Sequence, residues 1–284
     1  MKRILVPTDF SAYAKKALDY AVCLAKKTGA EIILLHACEL IHSPFEDRKV
    51  MINEHNLSIE TNAYSQLQAM KESIERMDEL LVTTRIYDGD VIESILETAE
   101  NYRTDLVVMG TLGRTGLKSR IMGSKTAALL SRSEVPVITI PHAFEWSVPE
   151  RILLALNDPK EDVALLKPAF VIAKLFGAEV TAAIFTGSGE DAVEFMEHSR
   201  AINAMQHQLQ KVYSPTLVKT VHLSGNDFQE ALQQFICRNQ IHLLTMITHR
   251  RSTVQSLFNK SMTRQMSYHT TVPLLSVRAH LQQV

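Results

Sequence analysis

One stretch of the sequence combines the residue types that bind anions. Residues 109–130, MGTLGRTGLKSRIMGSKTAALL, hold four spaced glycines, basic side chains and hydroxyl groups, and they run into a segment of helical period. Glycines let a backbone turn sharply and approach a ligand closely, and free N–H groups at the start of a helix attract phosphate. The pattern predicts an anion-binding loop that ends at Gly123 and Ser124, where the helix begins.

Each member of this loop also has a plainer interpretation. A glycine can simply make a turn, and for Gly116 we keep that interpretation. The basic side chains of Arg114, Lys118 and Arg120 are ordinarily solvated when a loop is exposed. The binding hypothesis therefore depends on the ordered set and on its place between a strand and a helix.

The elements that must position this loop alternate along the first half of the chain. Apolar runs predict strands at residues 4–6, 31–37, 80–86, 105–109 and 135–140, and helical periodicity predicts helices at 12–27, 57–77, 91–101 and 125–131. Near-continuous apolar strands interleaved with helices are typical of a parallel α/β sheet covered on both faces. The loop then begins at the carboxyl end of the fourth strand, the edge at which open α/β sheets bind ligands.

The second half of the sequence repeats the first. A shift of 148 aligns AKKTGAEIILL (25–35) with AKLFGAEVTAA (173–183), and a shift of 137 aligns SEVPVITI (133–140) with TTVPLLSV (270–277). The shifts differ by 148 − 137 = 11, so the second copy is shorter by about that much, which we place around its third strand and preceding helix. The repeat predicts two tandem α/β domains, at residues 1–143 and 150–284.

Composition excludes several other classes of protein. The chain has 30 Lys and Arg against 31 Asp and Glu, a net charge of −1, so its overall charge favours neither nucleic acid nor a membrane surface as a partner. Its three cysteines form no CxxC pair and no disulfide framework. The sequence opens without a signal peptide and holds no apolar run long enough to span a bilayer, so we expect a cytoplasmic protein.

The glycine spacing also resembles that of a known family. Gly110, two residues, Gly113, nine residues and then Gly123-Ser124 resemble the G-x2-G-x9-G-[ST] motif of the ATP-binding branch of the universal stress protein family. VPTDFS (6–11), LLHA (34–37), DLVVMG (105–110) and VPVITI (135–140) resemble the family's first, second, fourth and fifth strands. The chain thus looks like a tandem universal stress protein, which implies two Rossmann-like domains, each with a five-stranded parallel sheet and helices on both faces.

The resemblance also implies which residues hold a nucleoside. Asp9, at the end of the first strand, would accept a hydrogen bond from it, and Pro7 and Thr8 would shape that wall of the pocket. Ala37 would present its backbone to the adenine edge. From the residues alone, Asp9 could also be a helix N-terminal cap, a role compatible with binding, and the nearby His36 is more simply a packing residue than a ligand or a base.

The ribose and the phosphates would lie along the glycine-rich loop. Met109 and Gly110 would lie beside the ribose. The residues that would surround the phosphates, mainly through backbone N–H groups, are Gly113, Gly123, Ser124, Lys125 and Thr126. The implied cofactor is ATP, or AMP or ADP in its place, with Mg²⁺ bridging phosphate oxygens and no metal-binding residue from the protein.

The sequence shows no set of catalytic residues for phosphoryl transfer. It has no GxxxxGK[ST] motif and no GxGxxG spacing, which disfavours a Walker-type NTPase and a dinucleotide-binding enzyme. We therefore expect a nucleotide-dependent stress-response or signalling module with, at most, weak ATP hydrolysis. Two alternatives stay open: a slow ATPase or nucleotide-dependent transferase with Asp9 or His36 as base, and a scaffold that binds no nucleotide.

The second half departs from the motif at most of its positions. The counterparts of Gly110, Gly113, Gly123, Asp9 and Ala37 are Ile247, Arg250, Lys260, Asn157 and Phe185. We therefore predict that ATP is held by the first domain only. The resemblance further implies that the two halves pair as an internal pseudo-dimer, with a homodimer also open. Because the binding loop comes without a set of catalytic residues, we expect the nucleotide to change a surface that an unknown protein partner recognises.

Overall fold

The computed structural model describes residues 1–42, 49–111, 124–156, 162–187, 192–213, 218–248 and 270–279. These residues divide into two compact units, Met1–His142 and Ala143–Val284.

The first unit is a parallel sheet with helices packed on it. Its strands are β1 (Arg3–Pro7), β2 (Glu31–Cys38), β3 (Val82–Asp88), β4 (Leu106–Gly110) and β5 (Val137–Ile140). Its helices are α1 (Ala12–Thr28), α2 (Lys49–Asp78), α3 (Val91–Asn101) and α4 (Ser124–Arg132). The strand order is β3-β2-β1-β4-β5. The chain winds outward on both sides of β1, so the carboxyl ends of β1 and β4 border the crevice where such sheets bind ligands.

Local sequence explains where α1 begins and ends. The hydroxyl of Ser11 caps the helix by accepting a hydrogen bond from the N–H of Ala14. Gly29 ends it in the left-handed conformation, with φ 68°, and donates its N–H to the carbonyl of Ala25. The apolar face of α1 is buried against β4 and β1, and Ile4 on β1 is fully buried. This helix matches the predicted range to within one residue.

Three sequence predictions in this unit are wrong in their bounds, and one of them is β5, which begins at residue 137 rather than at 135. Helix α2 begins at Lys49 rather than at residue 57. The prediction missed its first turns because they place Val50 and Met51 in solvent and show no buried apolar stripe. Strand β3 spans residues 82–88 rather than 80–86, since the apolar pair Leu80-Leu81 precedes the strand and the second of these side chains is exposed.

The second unit repeats the same architecture within the residues described. Its strands are β6 (Arg151–Leu156), β7 (Glu179–Gly187), β8 (Val218–Gly225), β9 (Leu243–Thr248) and β10 (Leu274–Arg278), all parallel, in the order β8-β7-β6-β9-β10. Its helices are a short 3-10 helix (Val163–Leu166), α5 (Lys167–Phe176), α6 (Ala192–Val212) and α7 (Phe228–Arg238). Helix α6 has 21 residues where α2 has 30, so most of the predicted shortening lies in the helix before the third strand.

The predicted fold class is confirmed: two α/β units, each with a five-stranded parallel sheet. No helix among the described residues is both long enough and apolar enough to cross a membrane.

Candidate functional site

The first unit has a cavity of about 400 Å³ at the carboxyl edge of its sheet. Its walls come from the ends of β1, β2 and β4, the first turns of α3, and the start of α4. The volume lies within the range of about 300–1,000 Å³ that is usual for ligand pockets. The cavity therefore has the place and the size of a small-molecule site.

Most of the sequence-predicted site residues line this cavity. Those brought together are Pro7, Thr8, Asp9, Ala37, Met109, Gly110, Ser124, Lys125 and Thr126. Gly113 and Gly123 lie outside the described residues, as do the loop residues Gly116, Arg114, Lys118 and Arg120. The cavity is thus assembled from positions far apart in the sequence, while the ligand contacts assigned to them remain predictions.

The turn between β1 and α1 carries Asp9 at the cavity wall. The backbone N–H of Thr8 donates to the carbonyl of Leu35 at 2.8 Å, which ties the turn to β2. One carboxylate oxygen of Asp9 accepts a hydrogen bond from the N–H of Ser11 at 3.0 Å. Because Ser11 is the residue that caps α1, Asp9 shapes the turn before the helix and is not its cap.

His36 also lines the cavity, and it contacts the same turn. Its Nδ1 lies 2.8 Å from the carbonyl oxygen of Thr8. A carbonyl only accepts hydrogen bonds, so Nδ1 carries the proton and donates it. The imidazole ring packs against the ring of Phe10, with 4.5 Å between centroids.

The start of α4 forms the opposite side of the site. The side chain of Thr126 is buried, and its hydroxyl donates to the carbonyl of Gly110 at 3.2 Å, which fastens the helix to the end of β4. Ser124 and Lys125 precede it in the first helical turn and are exposed. The first N–H groups of a helix have no acceptor within the helix, and together with the Lys125 ammonium they give this side of the cavity a positive field.

An acidic residue nearby is held in its charged form. The backbone N–H groups of Glu93 and Ile92 donate to the carboxylate of Asp90 and lower its pKa, and the charges of Lys125 and Arg132 act in the same direction. Asp90 caps α3. Its charge therefore stabilises the helix that forms one wall of the cavity.

Sequence reasoning missed that wall, which consists of Val91, Ser94 and Ile95 on α3. Ser94 is fully buried, and its hydroxyl donates to the carbonyl of Val91 at 2.9 Å. In the sequence these positions form an ordinary amphipathic stripe, which predicts burial and gives no sign of a ligand. The available signal was the place of α3, directly after the third strand of a parallel sheet.

In the second unit, aromatic rings occupy the corresponding place. Phe185 on β7 is the counterpart of Ala37, and Phe228 on α7 is the counterpart of Val91 at the shift of 137. Their rings meet edge to face, with centroids 5.4 Å apart. Two small side chains that line the first cavity are thus replaced by two rings that pack on each other. Of the other counterparts, Ile247 is the next-to-last residue of β9. Asn157, Arg250 and Lys260 lie outside the described residues.

Comparison with known proteins gives the relationship of the chain. A sequence profile of the Universal stress protein family matches residues 1–141. Universal stress protein YxiE of Bacillus subtilis is 30% identical over 144 residues, which cover 49% of this chain and 97% of that protein. A universal stress protein of Synechocystis is 24% identical over 307 residues, covering 98% of this chain and 100% of that protein.

The solved structures agree on the fold. A universal stress protein from Archaeoglobus fulgidus superposes with a TM-score of 0.72 at 21% identity, covering 97% of this chain and 98% of that one. Its likeness extends over both halves and confirms the Rossmann-like fold. The profile match and the relative from Bacillus subtilis together show that the chain belongs to the universal stress protein family.

Proposed function

We propose that the first unit binds ATP and that the chain is a nucleotide-dependent stress-response module. The observation that carries this proposal is the cavity of about 400 Å³, which gathers nine of the eleven predicted site residues at the carboxyl edge of the sheet. AMP or ADP would use the same base and ribose contacts. Only the first unit is proposed to hold a nucleotide.

The chemistry of the cavity walls fits an adenine nucleotide. Val91 and Ile95, beside the small Ala37, offer an apolar slot for the base. The Asp9 carboxylate is an acceptor for a hydroxyl or amino group of the nucleoside. Lys125 and the first turn of α4 offer positive charge to the phosphates. Apolar walls with a few convergent polar groups are the usual composition of a cofactor site.

Magnesium is proposed to arrive with the nucleotide. Among the described residues, no group of three or more His, Cys, Asp and Glu side chains is arranged to hold a metal ion. Mg²⁺ keeps several waters and commonly binds through substrate phosphates, where it would neutralise their charge. The protein's part would be to hold those phosphates at α4.

Substitution of Ala37 tests the site directly. Ala37→Phe gives the first unit the ring that its counterpart carries in the second unit, and we expect it to fill the slot and abolish ATP binding in isothermal titration with Mg²⁺ present. Leu81→Phe, at a side chain that is 65% exposed in the same unit, is the matched control and should bind like the wild type. Absence of ATP binding by the wild type would overturn the proposal and favour the scaffold.

Hydrolysis separates the module from the enzyme alternative. The Nδ1 of His36 is already committed to the Thr8 carbonyl, so a base at this residue would have to act through Nε2. Steady phosphate release above ~0.1 per second, about an order of magnitude below common turnover rates, would favour the ATPase. The cytoplasmic location, the protein partner, the pseudo-dimer and the homodimer stay predictions, and light scattering would test the last of these.

A further inference from the structure

We propose that His36 is a positioning residue that holds the turn between β1 and α1 in the shape that directs Asp9 to the nucleotide. The inference rests on the proposed function, because it concerns how that site is built. It assigns His36 a task beyond the packing role and the base role considered from the sequence.

The residue before Asp9 is held by β2 on both sides of its backbone. The N–H of Thr8 donates to the carbonyl of Leu35 at 2.8 Å, and the carbonyl of Thr8 accepts from Nδ1 of His36, also at 2.8 Å. The first contact is a backbone hydrogen bond that continues the pairing of β1 and β2 one residue beyond β1. The second is made by a side chain, so it is the one that substitution can remove while the strands stay paired.

The residue after Asp9 is held in a conformation that it would not adopt alone. Phe10 has φ 62°, in the left-handed region that bulky side chains rarely enter. Such a conformation persists only where surrounding contacts enforce it. Here the ring of Phe10 packs on the imidazole of His36, with 4.5 Å between centroids. The backbone N–H of Phe10 donates to the hydroxyl of Thr8 at 3.0 Å.

Asp9 therefore stands between two residues that His36 holds. With the imidazole hydrogen bond gone, the turn can relax to a favourable φ at Phe10, which rotates the peptide that carries Asp9. The hydrogen bond from the N–H of Ser11 to the Asp9 carboxylate would loosen with it. We infer that His36 affects nucleotide binding through Asp9, although it also lines the cavity itself.

Two amide substitutions of His36 isolate the hydrogen bond. An asparagine amide reaches about as far as Nδ1 and can donate to the Thr8 carbonyl, whereas a glutamine amide reaches about as far as Nε2 and cannot. We expect His36→Gln to weaken ATP binding ~10-fold in isothermal titration, the effect of losing one hydrogen bond at a partly buried group, and His36→Asn to stay within about 3-fold of the wild type.

A double-mutant cycle with Asp9→Asn tests the route of the effect. If His36 acts through Asp9, His36→Gln should cause little further loss of ATP affinity once the carboxylate is gone. Equal losses in the two backgrounds would mean that His36 contacts the nucleotide directly, and this would overturn the positioning role. So would equal ATP affinities for His36→Gln and the wild type.

A second readout does not need the nucleotide. Hydrogen exchange of the free protein should show faster exchange at the N–H of Ser11 in His36→Gln, and unchanged exchange at interior α1 positions such as Leu24. Unchanged exchange at Ser11 would overturn the inference even if the wild type bound no ATP, and failure of ATP binding alone would overturn only the proposed function. If His36→Gln proves unstable, His36→Ala, which also removes the imidazole donor, should speed exchange at Ser11 in the same way.

Discussion

At the residue scale, the two units use different side chains to accept the backbone N–H at the start of the first strand of each sheet. In the first unit a carboxylate oxygen of Asp105 accepts the backbone N–H of Arg3 at 3.0 Å. In the second unit His242, at the corresponding position, accepts the N–H of Arg151 through Nδ1 at 3.2 Å. A histidine can accept there only while Nδ1 is unprotonated, so this contact depends on pH.

This difference predicts a pH dependence of stability. Burial lowers the pKa of His242 below its usual 6.5, and Arg151 lowers it further, while Glu150 acts in the opposite direction. The unfolded chain then binds more protons than the folded one between the two pKa values, so the stabilising contribution is complete above about 6.5 and is lost as pH falls through the folded pKa. His242→Asn keeps an acceptor without a titrating group.

We expect the thermal midpoint of the wild type to fall more between pH 7.5 and pH 5.5 than that of His242→Asn. Scanning calorimetry at the two pH values provides the measurement, and His242→Asn, which keeps every other titrating group, is the reference. Parallel declines in the two proteins would contradict the assignment of the pH dependence to this contact.

At the element scale, the end of α1 is set by one glycine. Gly29 has φ 68°, and a Cβ built on it would meet no atom within 4 Å, so replacement by alanine costs conformational energy without a clash. We expect Gly29→Ala to reduce the free energy of unfolding by ~1–2 kcal/mol in urea denaturation. Gly29→Asn, whose side chain tolerates the left-handed region, should cost less. Equal losses for the two variants would contradict the conformational explanation.

Elements with strong local signals were predictable from the sequence, and the others were not. Helices α1 and α3 have caps at Ser11 and Asp90 and regular buried faces, and their predicted bounds agree with the structure to within one residue. The start of α2 was missed because no buried stripe marks it. The α3 wall of the cavity was missed because what distinguishes Ser94 from a core residue is its place beside other strands, which only the fold reveals.

At the scale of the whole molecule, the two halves keep one architecture while their site positions diverge. The left-handed glycine that ends α1 recurs at Gly177 after α5, and the helix cap at Asp90 recurs at Asp227 before α7. Several positions that line the first cavity have changed instead, as with Ala37 and Phe185. The second unit thus retains the residues that begin and end its helices. At the place that corresponds to the cavity it has larger side chains.

This divergence predicts that removing the rings will not restore a second nucleotide site. Phe185→Ala combined with Phe228→Val gives β7 and α7 of the second unit the side chains found at the first cavity. The substitutions should destabilise the chain by ~3 kcal/mol or more, because Phe228 packs against a buried core cluster and each truncation removes aromatic contacts.

ATP stoichiometry of the double variant should stay at one per chain, since Asn157 and Ile247 stand where the first unit has Asp9 and Gly110. Equilibrium titration with radiolabelled ATP at saturating concentration measures this number, and Ala37→Phe in the same background should reduce it to zero. Two nucleotides per chain would mean that the rings alone close the second unit. One nucleotide would mean that an open slot is insufficient without the acidic residue and the glycines that meet the rest of the ligand.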